Sequence, residues 1–399
     1  MSISNSVKSL TVIGAGVQGH SIVQSALMGN FEKIIINDIN MDLINKAVDQ
    51  IENDENFGLK KLESCGILNK EVSSKDLMEK LVKEVHLKKA VNNSDFIIEA
   101  IPEKIELKQK LFKKINKYAP EHAILASNTS TMSITKLANA SGRPENVIGM
   151  HFFIPLNLKL VEITKGSKTS DNTMKIATEV ANNLYCLKGN RVIIPLEKES
   201  PGFIANRIIT SSLIYFNWIL DIALKRGIPF KQIDADIIEL APRGICFILD
   251  IVGLDTVYNV MTHLKKNLSP DFAPGETLTL LVKEGKLGKK SGKGFYDWSN
   301  GRIKKPENFK KANLLDINAI LAIMINEGCR LLENGTVSGY KMIDNAMVSG
   351  YDMLGPFMMG KRKYLEYSKL LEDLVEKSGK QYLKPCNLMK SGVFLKMRK

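Results

Sequence analysis

The chain has 399 residues, a length that suits two or three domains. Its 44% hydrophobic and 25% charged residues are ordinary for a globular protein, and no apolar run of about 18 residues stands out, so no membrane span or membrane partner is expected. The formal net charge of +13 raises nucleic-acid binding, but the lysines are scattered among acids with no aromatic-interleaved basic motif. An anionic small ligand with several phosphates, or a solvated surface, fits the charge better, and no nucleic-acid partner is expected.

The polar opening, Met1 to Val7, has neither a basic region with an apolar stretch nor an Arg-rich amphipathic pattern. It reads as no targeting segment, which makes the cytoplasm the expected location. Leu10 to Ile13 is then a short apolar run ending at glycine, followed by a helical segment from about Gln18 to Met28. Lys33 to Ile36 is a second apolar run closed by Asn37 and Asp38, and a charged helical stretch spans roughly Met41 to Cys65. Phe96 to Ile98 and Ala123 to Ala126 read as strands around a helix at Leu107 to Tyr118, with further strands at Val147 to Met150 and Leu160 to Ile163. This alternation predicts a doubly wound, mostly parallel sheet.

The pattern turns helical after Pro201, a natural helix start signal. Ile204 to Leu224, Gln232 to Leu240 and Gly253 to Lys265 read as helices. Ile214 to Asp255 and Ile320 to Phe357 echo one another: a helix, a glycine break at Gly227 or Gly335, an Ile-Asp pair at 233–234 or 343–344, then an apolar stretch. Two copies of one helical domain are therefore expected, with Ser299 to Asn308 as the linker. The expected domains are 1–198 for the sheet and 199–300 and 313–399 for the two helical copies. The five cysteines, Cys65, Cys186, Cys246, Cys329 and Cys386, are far apart, and none forms a CxxC pair. They predict free thiols and no metal site.

Gly14-Ala15-Gly16-Val17-Gln18-Gly19 is the strongest local signal. It follows a strand and opens a helix, as a dinucleotide-binding turn must. The first glycine permits the tight turn, the second lets backbone approach a pyrophosphate, and the third lets helix pack on strand. Asp38 ends the second strand 19 residues after Gly19. A carboxylate there accepts hydrogen bonds from a ribose diol and repels a 2′-phosphate, which predicts NAD rather than NADP and a Rossmann-type domain.

Ser127-Asn128-Thr129-Ser130, Gly149-Met150-His151-Phe152-Phe153, Leu160-Val161-Glu162 and Pro201-Gly202-Phe203-Ile204-Ala205-Asn206-Arg207 follow in order, and Gly285 to Tyr296 closes the first helical copy. In this combination the chain, over about Leu10 to Trp298, resembles the L-3-hydroxyacyl-CoA dehydrogenase family. The resemblance implies oxidation of a 3-hydroxyacyl-CoA, such as 3-hydroxybutyryl-CoA, with NAD, as in fatty acid β-oxidation. It implies His151 as general acid/base, Glu162 as its orienting carboxylate, Ser130 on the substrate oxygen and Asn206 positioning substrate and base. It places Glu103, Lys108, Asn128 and Lys290 around the dinucleotide and Lys61 against CoA phosphate. Taken alone, His151 reads as readily as a satisfied core histidine, Ser130 as a helix cap, and Lys61, Glu103, Lys108 and Lys290 as solvated charges. The chemistry agrees with the resemblance, because oxidising a secondary alcohol needs a proton acceptor that works near neutral pH.

The chain departs from the family pattern in the first helical copy, where Ala241-Pro242-Arg243-Gly244-Ile245-Cys246 replaces a glycine- and proline-rich turn, and at two points near His151. Ile154 occupies the position where the family has asparagine, and the segment from His151 to Glu162 is one residue short, a deletion expected at Leu156 to Leu158. The expected fold class is α/β: a Rossmann-type sheet domain followed by all-α copies. The expected assembly is a homodimer or a pseudo-dimeric monomer. Two rival functions remain open: a same-fold dehydrogenase of a non-CoA hydroxy acid, and an NAD-binding protein without catalysis.

Overall fold

The computed structural model describes residues 7–68, 71–238, 241–299 and 309–399. Nearly all of the opening segment Met1–Val7, the linker expected at Ser299–Asn308 beyond its first residue, and the end of the helix expected at Gln232–Leu240 lie outside them. The chain forms two compact units. The first holds Met1–Phe203, Gly335–Val337 and Asn345–Met353; the second holds Ile204–Asn334, Ser338–Asp344 and Leu354–Lys399.

The first unit is built on an eight-stranded sheet of β1 (Ser9–Ile13), β2 (Lys33–Asn37), β3 (Leu81–Glu84), β4 (Phe96–Glu99), β5 (Ile124–Ser127), β6 (Val147–Phe152), β7 (Leu160–Lys165) and β8 (Val192–Leu196). Their order is β3-β2-β1-β4-β5-β6-β7-β8. Every pair is parallel except β6 with β7. The inner strands are apolar because both faces are covered. Ile34 and Ile36 point into one core cluster with Val12 and Ile98, while Ile35 points into the other with Ile13 and Ile97.

Sequence reading missed two strands. β3 lies at one edge and exposes Val82 and Lys83, so it has no apolar run to see. β8 lies at the other edge and contains Pro195, which an edge strand tolerates. The helical stretch expected over Met41–Cys65 is two helices, Met41–Asn53 and Leu59–Ser64. Between them Asp54 Oδ1 accepts the N–H groups of Asn56 and Phe57 in a turn.

In the helical unit, Ala205–Ser211 and Leu213–Lys225 join at Ser212 into the long helix expected over Ile204–Leu224. Ala205–Lys225 is long and apolar enough to cross a membrane by length and composition. With 61% of its most apolar window buried, it also fits the description of a core helix. The two Ile-Asp pairs do the same physical work. Asp234 accepts the N–H groups of Cys246 (2.8 Å) and Phe247 (3.1 Å) at the start of helix Ile245–Val252. Asp344 accepts that of Phe357 (3.0 Å) at the start of helix Pro356–Gly360. In each case a glycine makes room: a Cβ on Gly244 or Gly355 would lie 2.1 Å from the aspartate side chain.

Candidate active site

The parallel strands aim their C-terminal ends at one edge of the sheet, and the direction of winding switches between β1 and β4, where such sheets bind ligands. The glycine turn sits there, and its three glycines meet three different demands. Gly14 has φ +106°, and a Cβ on it would lie 2.6 Å from Ala100 O. A Cβ on Gly19 would lie 1.7 Å from Gly14 O, so helix Val17–Leu27 packs directly on the turn. A Cβ on Gly16 would meet nothing within 4 Å. That open space lies at a helix N-terminus, where a pyrophosphate finds N–H donors. Asp38 follows β2, half-buried, and its Oδ2 accepts the Ala15 N–H at 2.7 Å. Turn and acid therefore fit the dinucleotide that the sequence predicts.

His151 and Glu162 are paired directly across the antiparallel β6–β7 ladder. Residues opposite one another in a ladder project to the same face, so the register alone brings the two side chains together. His151 Nδ1 lies 2.8 Å from Glu162 Oε2, with the histidine 5% exposed and the glutamate fully buried. The short connection does not disturb this register. It folds as a turn in which the Asn157 and Leu158 N–H groups reach Ile154 O. Ile154 itself is half exposed. The imidazole is flanked by Phe153, with ring centroids 4.6 Å apart, and by Phe203 at 5.6 Å.

His151, Ser130, Asn128, Gln18, Glu103 and Lys108 all line one cavity of about 220 Å³. Asn128 Oδ1 accepts the Phe152 N–H at 2.9 Å, and Gln18 Nε2 donates to Phe153 O at 2.8 Å. The glycine-turn helix and the loop after β5 thus both grip the end of β6. Ser130 lies in a loop; the cap of the next helix is Ser133, not Ser130.

Lys108 is not the solvated charge that its sequence context suggests. It is 1% exposed, and its Nζ lies 2.6 Å from Glu99 Oε1 and 3.1 Å from Glu103 Oε2. Glu99 also accepts the Ser127 hydroxyl and the Ile101 N–H. Glu103 Oε1 accepts the Thr129 hydroxyl, the Ser130 N–H (3.1 Å) and the Thr131 hydroxyl (3.3 Å). Desolvation opposes its charge, but the Lys108 ammonium and these donors win and hold its carboxyl below the usual range. Glu103 and Lys108 therefore tie down the loop that carries Ser130. Sequence reading passed over Glu99, although an acid closing the buried run Phe-Ile-Ile is the signal that would have found it.

Lys61 is exposed on helix Leu59–Ser64. Asn206 and Lys290 belong to the helical unit. Asn206 is half-buried in the first turn of helix Ala205–Ser211, and Lys290 Nζ lies 2.6 Å from Asp255 Oδ2. In that unit Arg207 and Arg330 both bind Glu327, which is fully buried and also accepts the Tyr382 hydroxyl at 2.9 Å.

Residues 9–188 match the NAD binding domain of 3-hydroxyacyl-CoA dehydrogenase, and residues 202–298 match the C-terminal domain of the same family. The chain belongs to the 3-hydroxyacyl-CoA dehydrogenase family. It is an NAD-dependent enzyme of that class. Mitochondrial hydroxyacyl-coenzyme A dehydrogenase of Sus scrofa is 33% identical over 302 residues, covering 73% of this chain and 91% of that protein. A probable 3-hydroxybutyryl-CoA dehydrogenase of Deinococcus radiodurans is 34% identical, covering 72% and 99%. The crystal structure of (S)-3-hydroxybutyryl-CoA dehydrogenase from Ralstonia eutropha, 30% identical, covers 73% of this chain and 99% of its own, with a TM-score of 0.64. The fold of 3-hydroxybutyryl-CoA dehydrogenase from Escherichia coli K12 covers 98% of both chains with a TM-score of 0.84 at 23% identity. That fold includes the region after residue 298, which the family's two domains leave unmatched.

Proposed function

We propose that this 3-hydroxyacyl-CoA dehydrogenase acts on a short-chain (S)-3-hydroxyacyl-CoA, 3-hydroxybutyryl-CoA, with His151 as general acid/base and Glu162 as the carboxylate that orients it. The observation that carries this reading is the 2.8 Å contact between His151 Nδ1 and Glu162 Oε2, made across a single ladder position and at the wall of the cavity that also holds Ser130. The names of two relatives, in Deinococcus radiodurans and Ralstonia eutropha, support the four-carbon substrate.

With Nδ1–H donated to Glu162, the lone pair of the imidazole lies on Nε2. In the forward direction Nε2 takes the proton of the substrate hydroxyl, and the imidazolium that forms is stabilised by the carboxylate already beside it. Bound NAD supplies the hydride acceptor for C3. The hydroxyl proton thus passes to His151 and, with loss of the C3 hydride that bound NAD would accept, the product is a 3-ketoacyl-CoA. In reverse, His151 returns the proton to the keto oxygen. Ser130 donates to that oxygen from a loop fixed by Glu103, and Phe153 and Phe203 keep water from the flanks of the imidazole. Asn206 positions the substrate, Lys61 meets a CoA phosphate, and Asn128 and Lys290 serve the cofactor. Asp38 selects NAD over NADP by charge. We further infer that the helical part is two copies of one domain, each keeping its Ile-Asp cap.

The test is His151→Gln, which keeps the shape and removes the base. Its kcat with 3-hydroxybutyryl-CoA and NAD should fall by about 10³-fold or more, with NADH binding unchanged. Parental turnover in the variant overturns the assignment. A series of acyl-CoAs should give its highest kcat/KM at four carbons. Faster turnover of a free hydroxy acid would favour the non-CoA reading.

A further inference from the structure

The sheet unit takes in a stretch from far along the chain, Asn345–Met353. From it the ring of Tyr351 meets Phe153 edge-on, with centroids 5.3 Å apart and planes at 74°. Phe153 in turn lies 4.6 Å from the imidazole of His151. Tyr351 is 37% exposed, and the residues on either side of it also meet this unit. Gly350 packs close to the sheet: a Cβ there would lie 2.7 Å from Leu160 Cδ2, which would have to shift, and 3.5 Å from the Phe153 ring. Leu160 opens β7, two residues before Glu162. Asp352 turns the chain at φ 52° and is ion-paired with Lys188. Desolvation of the Tyr351 hydroxyl, and the charge of Glu162, both push its pKa upward.

Phe153 needs such support. It is the first residue after β6, at the start of an irregular connection, so the strand ladder does not fix its ring. Its main chain is held by Gln18 through the carbonyl oxygen. That bond leaves χ1 and χ2 free to turn. If the ring swings away, His151 loses one wall, water reaches the pair, and the imidazole gains room to tilt off Glu162.

The geometry points to Tyr351 as a positioning residue: by holding the ring of Phe153 it keeps the His151 imidazole in register with Glu162. The inference rests on the acid–base assignment made above. It also gives the region past residue 298, beyond the match to the two family domains, a part in the chemistry of the sheet unit.

Tyr351→Ala and Tyr351→Phe are to be compared with the parent and with His151→Gln, using 3-ketobutyryl-CoA and NADH. Sites are counted by NADH binding, so that kcat refers to folded protein. Tyr351→Ala should lose about tenfold or more in kcat, the size of effect expected when a reacting group is misplaced, with KM and Kd for NADH unchanged. Tyr351→Phe should recover most of that loss, because the ring and not the hydroxyl holds Phe153. Tyr351→Leu replaces alanine if that variant does not fold, and is read in the same way. The inference is overturned if the alanine or leucine variant keeps kcat within about twofold of the parent. It is also overturned if the loss tracks lost NADH sites, if Tyr351→Phe is as slow as alanine, or if neither truncation folds. An inactive His151→Gln beside a parent-like Tyr351→Ala removes only this inference. An active His151→Gln removes the acid–base assignment itself.

Discussion

Glu99 and Glu162 both lie on strands of the same sheet with no accessible surface, and each faces a basic side chain that is almost as deeply buried. Glu99 meets Lys108 at 2.6 Å, and Glu162 meets His151 at 2.8 Å. The difference lies in the base and in what else surrounds it. Lysine as a residue type holds its proton far above neutral pH, whereas histidine exchanges near neutrality. Lys108 spends its remaining contacts on Ile101 O and Glu103, so the first pair is a closed knot that pins β4, β5 and the loop bearing Ser130. His151 uses Nδ1 on Glu162 and presents the rest of its ring to a cavity. Burial of a carboxylate against a basic side chain therefore does not by itself distinguish scaffold from chemistry. Under the proposed acid–base role, the distinction is the second ring nitrogen of His151, which Glu162 does not use.

Breaking the two pairs separately should have opposite signatures. Glu162→Gln should cost about 10³-fold in kcat, about 4 kcal/mol of barrier, while the urea midpoint moves little. Equal losses of activity and stability would mean that this pair, too, is scaffold. Lys108→Met leaves the Glu99 carboxylate buried without its partner and should destabilise the unit by about 3 kcal/mol in urea unfolding. Adding Glu99→Gln should restore much of that loss, because the uncompensated charge is then gone. Lys108→Met with an unchanged midpoint would mean that the knot does not hold the fold.

The sequence carried the parts of this comparison that leave a local pattern. The glycine turn and Asp38 were legible because a dinucleotide-binding turn restricts residue type at fixed spacing, and Gly14 and Gly19 show the tight turn and the close helix packing expected of them. β3 was not legible because an edge strand buries too little to need an apolar run, and β8, though apolar, carries Pro195, which a strand tolerates at a sheet edge. His151 and Glu162 were legible only as part of a family pattern, since their meeting is set by an antiparallel register that no short window encodes. Lys108 read as a surface charge because its partner Glu99 is nine residues back on a different element. Tyr351 left no signal at all, as its contact with Phe153 spans almost 200 residues.

The smallest effect is expected at Glu103, where the closed knot reaches the surface. Its side chain is 38% exposed, so solvent screens its pairing with Lys108, and Glu103→Gln should cost only about 0.5 kcal/mol at pH 7. The sign of its pH dependence follows from a carboxyl held below its usual range. The unfolded chain binds the proton first as pH falls, so the stabilisation is present above the ordinary carboxylate pKa and is lost as pH drops through the lowered folded value. The difference in urea midpoint between parent and Glu103→Gln should therefore be steady from pH 7 to 5 and shrink at more acid pH. Because Glu103 also holds the loop of Ser130, KM for the acyl-CoA should rise about twofold while kcat stays near parental. A pH-independent midpoint difference would detach Glu103 from the knot and leave Lys108 serving Glu99 alone.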